Sequence, residues 1–353
     1  MAARLFWFKL IEGLRGVINV VYLGIIMTFR ISRVILISLT MLTMSVPTFT
    51  LASNDFDAWL EDFSHEARRK GISDATLTIA LRGLKPVPRV IELDRRQPEF
   101  TLTFANYMKR VVTSTRIRKA RARFTRHREL LKKIGKRFKV QPRFIIALWG
   151  IETDFGRITG GFNVIPALAT LAHDGRRSAF FRSELLNALT IVDQGHIRPG
   201  NMKGSWAGAM GQVQFMPSSF LNFAVDFDGD GQKDLWTTHE DVFASAANYL
   251  SKSGWNGSQT WGRLVLLPQD FDSSLINYKN VRKPLSEWQM LGLRRAGGGD
   301  LPKVEISASL VRPMDGKDPA FLVYGNYRSI LKWNRSHYFA LAVGRLADAI
   351  IHR

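Results

Sequence analysis

Cysteine is absent from this 353-residue sequence, and acidic residues are scarce relative to basic ones. Without cysteine the chain forms no disulfide, no thiolate metal site, no cysteine nucleophile and no cysteine-borne lipid anchor. The 30 Asp and Glu against 50 Lys and Arg give a net charge of +20, which favours anionic partners such as nucleic acid, anionic lipid or an acidic wall polymer. A hydrophobic fraction of 46% excludes a disordered chain, and the length allows two or three domains or subdomains.

The first 52 residues have the pattern of an export segment. Arg30 and Arg33 precede an apolar run at residues 34–44, and Pro47 and the small residue Ala52 follow it. This order predicts a signal peptide, with an uncleaved N-terminal anchor as the alternative, although the run is short for a bilayer span. Without residues 1–52 the chain keeps 45 basic and 29 acidic residues, a charge of +16. We expect a periplasmic protein, anchored to the inner membrane if the segment is retained.

Composition divides the rest of the chain into four segments. We predict a basic helical domain at 53–140, a motif-rich core at 141–261 and a small β-containing subdomain at 262–318. A C-terminal segment at 319–353 is predicted to return to the core and the helical domain, with a helical pattern at 340–350. Residues 264–267, 304–306 and 309–311 have the pattern of short strands. The fold is therefore predicted to be mainly α, in the α+β class.

The basic domain contains an amphipathic stretch with almost no acid. From Lys109 to Lys139 there are 14 Lys or Arg and one acid, Glu129. Its apolar residues recur at helical spacing: Phe124, Leu130, Leu131, Ile134 and Phe138. Such a run is usually the solvated face of a helix, and the alternative is a surface for an anionic polymer. No DNA- or RNA-binding motif accompanies the charge, so we do not expect a nucleic-acid partner.

The segment from Pro142 to Gly156 places a carboxylate where a helix normally buries apolar residues. Pro142 is a helix start and Gly156 a helix stop. Ile145, Leu148 and Glu152 then share one helix face. A carboxyl there, beside Trp149 and near the negative end of the helix dipole, is favoured in its protonated form and suits a general acid. The alternative is a buried glutamate paired with arginine.

A second segment, residues 204–219, combines glycines, amides, hydroxyls and aromatic rings. Gly204, Gly208 and Gly211 permit tight turns and close backbone approach. The polar members are Ser205, Gln212, Gln214 and Ser218, and the large apolar members are Trp206, Phe215 and Met216. Sugars present both hydroxyls and apolar C–H faces, so this composition favours a glycan-binding wall over a glycine-rich packing seam.

A third segment is an acidic loop that begins at Asp226. Acids at loop positions 1, 3, 5 and 9, with Gly231 at position 6, match the calcium loop of an EF-hand. Position 12 is Thr237 instead of the usual Glu, so Glu240 or Asp241 would have to complete the shell. The alternative is a solvated acidic turn.

Together the three segments resemble the lytic murein transglycosylases of the B type, from about Phe56 to the carboxyl terminus. The resemblance implies a lysozyme-like helical core with an EF-hand-like loop, a helical domain and a small β subdomain. It also implies non-hydrolytic cleavage of the MurNAc-β-1,4-GlcNAc bond of peptidoglycan, leaving a 1,6-anhydro-MurNAc end. A structural Ca²⁺ is implied, with no cofactor for catalysis. We expect a monomer that acts on glycan strands and associates with cell-wall synthesis enzymes.

The resemblance also assigns roles by motif position. Glu152 matches the single catalytic carboxylate. The positions that match substrate contacts are Ser205, Gln214, Tyr249, Asn334, Arg176, Arg177 and Tyr107. The positions that match the metal loop are Asp226, Asp228, Asp230 and Asp241. Two departures are that Trp333 stands where a tyrosine is expected, and that the missing cysteine excludes a lipoprotein form.

The sequence offers one carboxyl in an acid-tuned setting, whereas glycosidases usually need two. Asp154, two residues beyond Glu152, points roughly the opposite way on a continuing helix. A single carboxyl suffices if the substrate supplies its own nucleophile, the C6 hydroxyl of MurNAc. The alternatives are a lysozyme-like hydrolase with a second acid and a non-catalytic wall-binding protein.

Overall fold

A computed structural model describes residues 51–96, 102–313 and 319–352. The predicted export segment at residues 1–52 lies outside the described residues, except that residues 51 and 52 begin the first helix. In the described part of the chain, no helix combines the length and the hydropathy needed to cross a bilayer.

The described chain is mostly helical, which confirms the predicted fold class. The basic N-terminal half contains α1 Leu51–Arg69, α2 Asp74–Leu81, α3 Pro88–Arg95, α4 Phe104–Val111, α5 Ser114–Arg126 and α6 Arg128–Phe138. The later helices are α7 Pro142–Thr153, α8 Val164–His173, α9 Ser178–Asp193, α10 Pro217–Phe223, α11 His239–Lys252, α12 Leu285–Met290, α13 Gly325–Trp333 and α14 His337–Ile351. Short 3₁₀ turns lie at Pro199–Asn201 and Ser273–Leu275.

Two small antiparallel sheets accompany the helices. The strands are β1 Phe162–Asn163, β2 Lys203–Gly204, β3 Gly262–Leu266, β4 Lys283–Pro284, β5 Arg294–Arg295, β6 Ser307–Val311 and β7 Ala320–Val323. β1 pairs with β2, and the larger sheet has the order β4-β6-β7-β3-β5. The strand predicted at 304–306 is wrong, because these residues form a bend after Pro302 in which Val304 is 48% exposed.

The helix that carries Glu152, α7, lies at the centre of the main core. Every residue from Phe144 to Thr153 is buried, because α5, α6, α11 and α14 pack around it. The predicted apolar face is therefore only one side of a helix that is enclosed on all sides. One continuous apolar cluster runs from Phe56 to Ile350, and a second lies within the β-containing region between Val265 and Tyr324.

The first three helices pack against the core helices that follow α7. α1 and α3 contact α8, and α2 contacts α9. Val87, just before α3, donates its N–H to the Thr170 hydroxyl over 2.9 Å and so joins the two regions. The domain boundaries drawn from composition remain predictions.

Candidate active site

The end of α7 fixes the orientation of Glu152. Pro142 begins the helix as predicted, but the helix ends at Thr153, before the predicted stop at Gly156. Asp154 and Phe155 adopt positive φ angles of 49° and 64°, followed by Gly156 at 79°. The chain therefore turns sharply directly after Glu152, so that this residue lies in the last turn of a buried helix.

Ion pairs hold Asp154 away from the cleft. Its carboxylate contacts Lys119 at 3.0 Å, Arg157 at 2.7 Å and Arg116 at 3.7 Å. Burial opposes ionisation of Asp154, but hydrogen bonds from Arg157 and Lys119 outweigh it and lower the pKa of this carboxyl. Asp154 is therefore an ionised partner of the basic helix α5 and is not a second acid for the site.

Glu152 lies at the wall of a cleft of about 440 Å³ and is 8% exposed. Its Oε1 accepts a hydrogen bond of 2.9 Å from the indole Nε1 of Trp333, the last residue of α13. Burial and then the negative charge of Glu152 raise the pKa of Tyr107 well above its usual range, which keeps that phenol neutral. Tyr107 is 2% exposed, packs against Tyr338 and is not part of the cleft lining. Its predicted glycan contact stays a prediction.

The glycine-rich segment forms another part of the cleft wall. Gly211 has a φ of 62°, and a Cβ there would lie 2.5 Å from the carbonyl oxygen of Leu235, so only glycine fits. The Ser205 hydroxyl oxygen accepts the N–H of Ala209 at 3.0 Å, so this bond does not use the hydroxyl proton. Gln214 also has a positive φ, and its amide donates to the carbonyls of Thr159 and Gly211. Both side chains line the cleft, as the glycan-wall interpretation requires.

Gln212 was expected in the glycan-binding wall, but its side chain bonds to protein groups instead. It accepts the indole N–H of Trp149 at 2.8 Å and donates to the carbonyl of Trp236 at 2.8 Å. Its own carbonyl accepts the Thr153 hydroxyl at 2.7 Å. Gln212 therefore bonds the glycine-rich wall to α7 without lining the cleft, and it fixes Glu152 relative to that wall.

Aromatic rings form the side of the cleft next to α13. Tyr249 and Trp333 have ring centroids 4.8 Å apart, and Phe215 is 5.2 Å from Trp333. The Tyr249 hydroxyl donates to the carbonyl of Lys332 over 2.7 Å, and burial raises the pKa of Tyr249 to about 12. Asn334 follows in the lining and is 5% exposed. The two predicted residues Tyr249 and Asn334 are therefore together in the cleft.

The predicted arginine pair, Arg176 and Arg177, lies at an edge of the cleft. Arg177 lines it, whereas Arg176 is half exposed and is not part of the lining. The two side chains both contact the carboxylate of Asp94 on α3, which is 1% exposed. Arg177 also stacks on Phe181, with 4.8 Å between the guanidinium carbon and the ring centroid. Asp94, which motif reasoning missed, therefore holds the pair in place.

A second carboxylate in the cleft lining is Glu184 on α9. It is 4% exposed, and its two oxygens accept the backbone N–H of Ser218 at 2.9 Å and the Ser218 hydroxyl at 2.6 Å. Glu184 thus caps the N-terminus of α10 from another helix. The sequence carried a signal for it, because Glu184 shares a helix face with Phe181 and Leu185, as Glu152 does with Leu148.

The acidic loop brings three carboxylates together. Oxygens of Asp226, Asp228 and Asp230 all lie within 4.8 Å of one another. Calcium binds oxygen ligands at 2.3–2.6 Å, so two ligands on opposite sides of the ion are about 4.8 Å apart, and the cluster fits that ion. Asp226 also accepts the N–H groups of Gly229 and Gly231 at 2.7 and 2.9 Å, which curls the loop.

Asp241, the fourth predicted ligand, is placed differently from the other three. It is fully buried, and its two oxygens accept the N–H groups of Phe227 at 2.7 Å and Asp234 at 2.8 Å. Burial raises the pKa of Asp241 to about 6, despite these two hydrogen bonds. Asp241 therefore ties both ends of the loop to α11, and its predicted role as a metal ligand stays a prediction.

The sequence profile of the family described as "Transglycosylase SLT domain" matches residues 55–348. Over 252 residues the chain is 32% identical to membrane-bound lytic murein transglycosylase B of Escherichia coli K12, covering 69% of this chain and 66% of that protein.

Solved structures of lytic transglycosylases are also similar to this chain. The structure of SltB3 from Pseudomonas aeruginosa in complex with NAG-anhNAM-pentapeptide superposes with a TM-score of 0.81 at 44% identity, covering 84% of this chain and 79% of that one. The Escherichia coli lytic transglycosylase Slt35 in complex with calcium superposes with a TM-score of 0.70 at 28% identity, covering 84% and 93%.

Proposed function

This chain belongs to the SLT-domain family of lytic transglycosylases, and we propose that it cleaves the MurNAc-β-1,4-GlcNAc bond of peptidoglycan with Glu152 as the acid and then the base. The observation that carries this assignment is the state of the two carboxylates in the cleft lining. Both oxygens of Glu184 are committed to Ser218, whereas Glu152 lies among the aromatic rings and the glycine-rich wall. The described cleft therefore contains one carboxyl placed for proton transfer.

In the proposed reaction Glu152 begins protonated and donates its proton to the glycosidic oxygen. The bond from that oxygen to C1 of MurNAc breaks, and an oxocarbenium-like centre develops at C1, supported by the N-acetyl carbonyl of the same sugar. Glu152, now a carboxylate, takes the proton of the C6 hydroxyl while the C6 oxygen bonds to C1. Glu152 returns to its protonated form, and the products are a free GlcNAc 4-hydroxyl and a 1,6-anhydro ring.

The rest of the cleft would bind and orient the strand. The rings of Trp333, Tyr249 and Phe215 offer flat apolar surface for the C–H faces of sugars. Ser205 has a hydroxyl proton available for a sugar oxygen or the N-acetyl carbonyl. Arg177, at the cleft edge, is suited to a carboxylate of the stem peptide, because guanidinium binds carboxylate in a bidentate geometry. The related SltB3 binds an anhydro-sugar that carries a pentapeptide.

Hydrolysis is the rival outcome, since a lysozyme-like enzyme adds water with a second acid. Glu184 is the only other carboxylate in the described lining, and its hydrogen bonds to Ser218 leave it poorly placed to activate water. Digestion of purified peptidoglycan in heavy-oxygen water separates the two. We expect no solvent oxygen in the new MurNAc ends, whereas hydrolysis would place one heavy oxygen at each C1.

For the acidic loop we propose a structural calcium ion held by Asp226, Asp228 and Asp230. The spacing of their oxygens fits the ion, and the related Slt35 has been solved with calcium. The ion would neutralise three clustered carboxylates in the loop that precedes α11, the helix that carries Tyr249 into the cleft. No step of the reaction depends on the ion.

The expected place of action is the periplasm, where peptidoglycan is accessible, and the partner is the glycan strand. The basic charge of the folded chain supports an interaction with a carboxylate-rich polymer. Association with cell-wall synthesis enzymes and a monomeric state remain predictions from the resemblance.

A further inference from the structure

A second and larger cleft is lined by α6 and by the loop at residues 256–258. Its volume is about 950 Å³, and none of the residues that line it belongs to the lining of the Glu152 cleft. One side is formed by α6 and the end of α5, and the other by the loop Asn256-Gly257-Ser258. We call it the α6 groove.

Two side chains, the part-buried Gln141 and the fully buried Asn326, hold the loop at residues 256–258 in place along one side of the α6 groove. The Gln141 amide donates to the carbonyls of Gly257 at 2.6 Å and Gln259 at 2.9 Å. Asn326, which is fully buried, donates to the carbonyls of Asn256 at 2.8 Å and Gln259 at 2.7 Å and accepts the N–H of Asn256. The groove therefore has a preformed shape, which reduces the ordering cost of binding.

The rim of the groove is cationic. Arg128, Lys132 and Lys136 follow at four-residue spacing along α6, and Lys139 ends the row. Four residues of α-helix rise about 6 Å, so the row extends roughly 16 Å. No acid lines the groove, and within the described chain none of the four cations forms a salt bridge. The row is therefore available to a ligand with several negative charges.

The floor beneath the cations is apolar. Leu131 and Val140 are buried there, next to Phe124 and Pro142. An apolar floor with a cationic rim matches a polymer whose sugar rings have C–H faces and whose side branches carry carboxylates. A single-stranded nucleic acid fits less well, because bases need exposed aromatic faces and Phe124 is the only ring in the lining.

We propose that the α6 groove is a second binding site for peptidoglycan, which takes a glycan strand with the carboxylates of its stem peptides along the row Arg128, Lys132, Lys136 and Lys139. The proposal rests on the proposed function and deepens it, since the groove would hold the enzyme on the sacculus while the Glu152 cleft cuts a strand. Binding of this kind is charge-driven and weakens as salt rises.

The test uses the full chain in the inactive Glu152→Gln background, so that the polymer is not digested during binding. Co-sedimentation with purified sacculi compares this protein with Lys132→Glu/Lys136→Glu. The control is Lys279→Glu/Lys303→Glu, which makes the same change of charge at two exposed lysines outside the groove. We expect the groove variant to bind sacculi about tenfold more weakly at low salt and the control to bind like the parent. Anionic lipid vesicles and single-stranded DNA are included, and their binding should respond alike to both double variants.

The same double variants in the active protein provide a second readout. The groove variant should digest insoluble sacculi more slowly and cut a short soluble glycan at the unchanged rate. Equal sacculus binding by the two variants would overturn the proposal. A selective loss of DNA or vesicle binding in the groove variant would also overturn it, in favour of that partner. Failure of the proposed function is distinguishable, because active protein would then yield no anhydro product from either substrate.

Discussion

The indole Nε1 of Trp333 donates a hydrogen bond of 2.9 Å to Oε1 of Glu152, across 181 residues of sequence. Trp333 is the last residue of α13, and Glu152 lies in the last turn of α7, so two helix ends meet at this carboxyl. A tyrosine at position 333 would carry its hydroxyl at the tip of the ring, whereas tryptophan donates from the side of its indole ring. In the proposed reaction the ring of Trp333 would offer sugar a stacking surface, while its N–H holds the carboxyl in place.

Replacing Trp333 by Phe tests this contact. The variant keeps an aromatic ring and loses the donor. In the second step, where Glu152 is a carboxylate, a hydrogen bond to this charged group contributes about 1.5–3 kcal/mol. We expect kcat to fall about 10- to 100-fold, since 1.36 kcal/mol corresponds to a factor of ten in rate. Steady-state kinetics on a soluble glycan measures it. Trp59→Phe, on α1 and outside the cleft, is the matched control and should retain full activity. An unchanged kcat in Trp333→Phe would show that the bond has no part in positioning Glu152.

Asp94 gives a prediction about specificity. Its buried carboxylate contacts both Arg176 and Arg177, so Asp94→Asn removes the charge that holds the pair. We expect KM for peptide-bearing glycan to rise about tenfold with little change in kcat, because Arg177 is no longer fixed at the cleft edge. KM for glycan stripped of peptide should not change. A similar loss on both substrates would indicate a general structural role for Asp94.

The acidic loop predicts calcium-dependent stability. At a calcium concentration 100 times the dissociation constant, binding to the folded state adds about 2.7 kcal/mol to the free energy of unfolding. We expect calcium to raise Tm in the parent and to have no effect in Asp228→Asn/Asp230→Asn. Thermal unfolding with calcium and then with chelator measures this. A Tm rise that persists in the double variant would place the ion elsewhere.

The partly buried setting of His127, which packs beside Trp149 of α7, predicts that the protein is less stable in acid. Burial, followed by the nearby His239 and Arg126, lowers the pKa of His127 to about 4. An unfolded histidine takes up its proton near pH 6.5, so the unfolded chain binds more protons between pH 6.5 and 4. The stabilising contribution of neutral His127 is complete above pH 6.5 and is lost as pH falls toward 4. At pH 5 part of this contribution is therefore already lost.

Thermal unfolding at pH 7 and pH 5 tests whether stability falls as the pH is lowered. We expect Tm to fall on acidification, and to fall less in His127→Phe. The His127 ring packs beside Trp149 and Phe243, and a phenyl ring suits the same aromatic surroundings. His65→Gln serves as control, because His65 is exposed on α1. A pH dependence identical in all three proteins would rule out His127 as its source.

The sequence was informative wherever a local pattern decides the structure. Pro142 and the apolar spacing predict α7 and the burial of Glu152, because helix periodicity is a short-range property. The glycine-rich wall was predicted for the same reason, since a position such as Gly211 admits no side chain. Loop positions 1, 3 and 5 likewise predict the cluster of Asp226, Asp228 and Asp230.

What the sequence did not predict depends on contacts between distant segments. Nothing near Trp333 indicates that its N–H reaches Glu152, and nothing near Asp94 indicates that it joins two arginines about 80 residues later. Gln212 was expected to face the sugar but bonds to Trp149, because only the packed core decides which side of a tight turn points inward. The strand β7, Ala320–Val323, was not predicted, because its four buried residues are placed by pairing with β3 and β6.

Mass analysis of the products from purified peptidoglycan, made with the parent protein and with Glu152→Gln, tests the central claim most directly. The claim is that Glu152 alone serves as acid and base, with the C6 hydroxyl as nucleophile. It predicts 1,6-anhydro-MurNAc products, each one water lighter than the hydrolytic product, and a rate at least 10²-fold lower in Glu152→Gln. Anhydro products released at the parent rate by Glu152→Gln, or hydrated products from the parent, would contradict it.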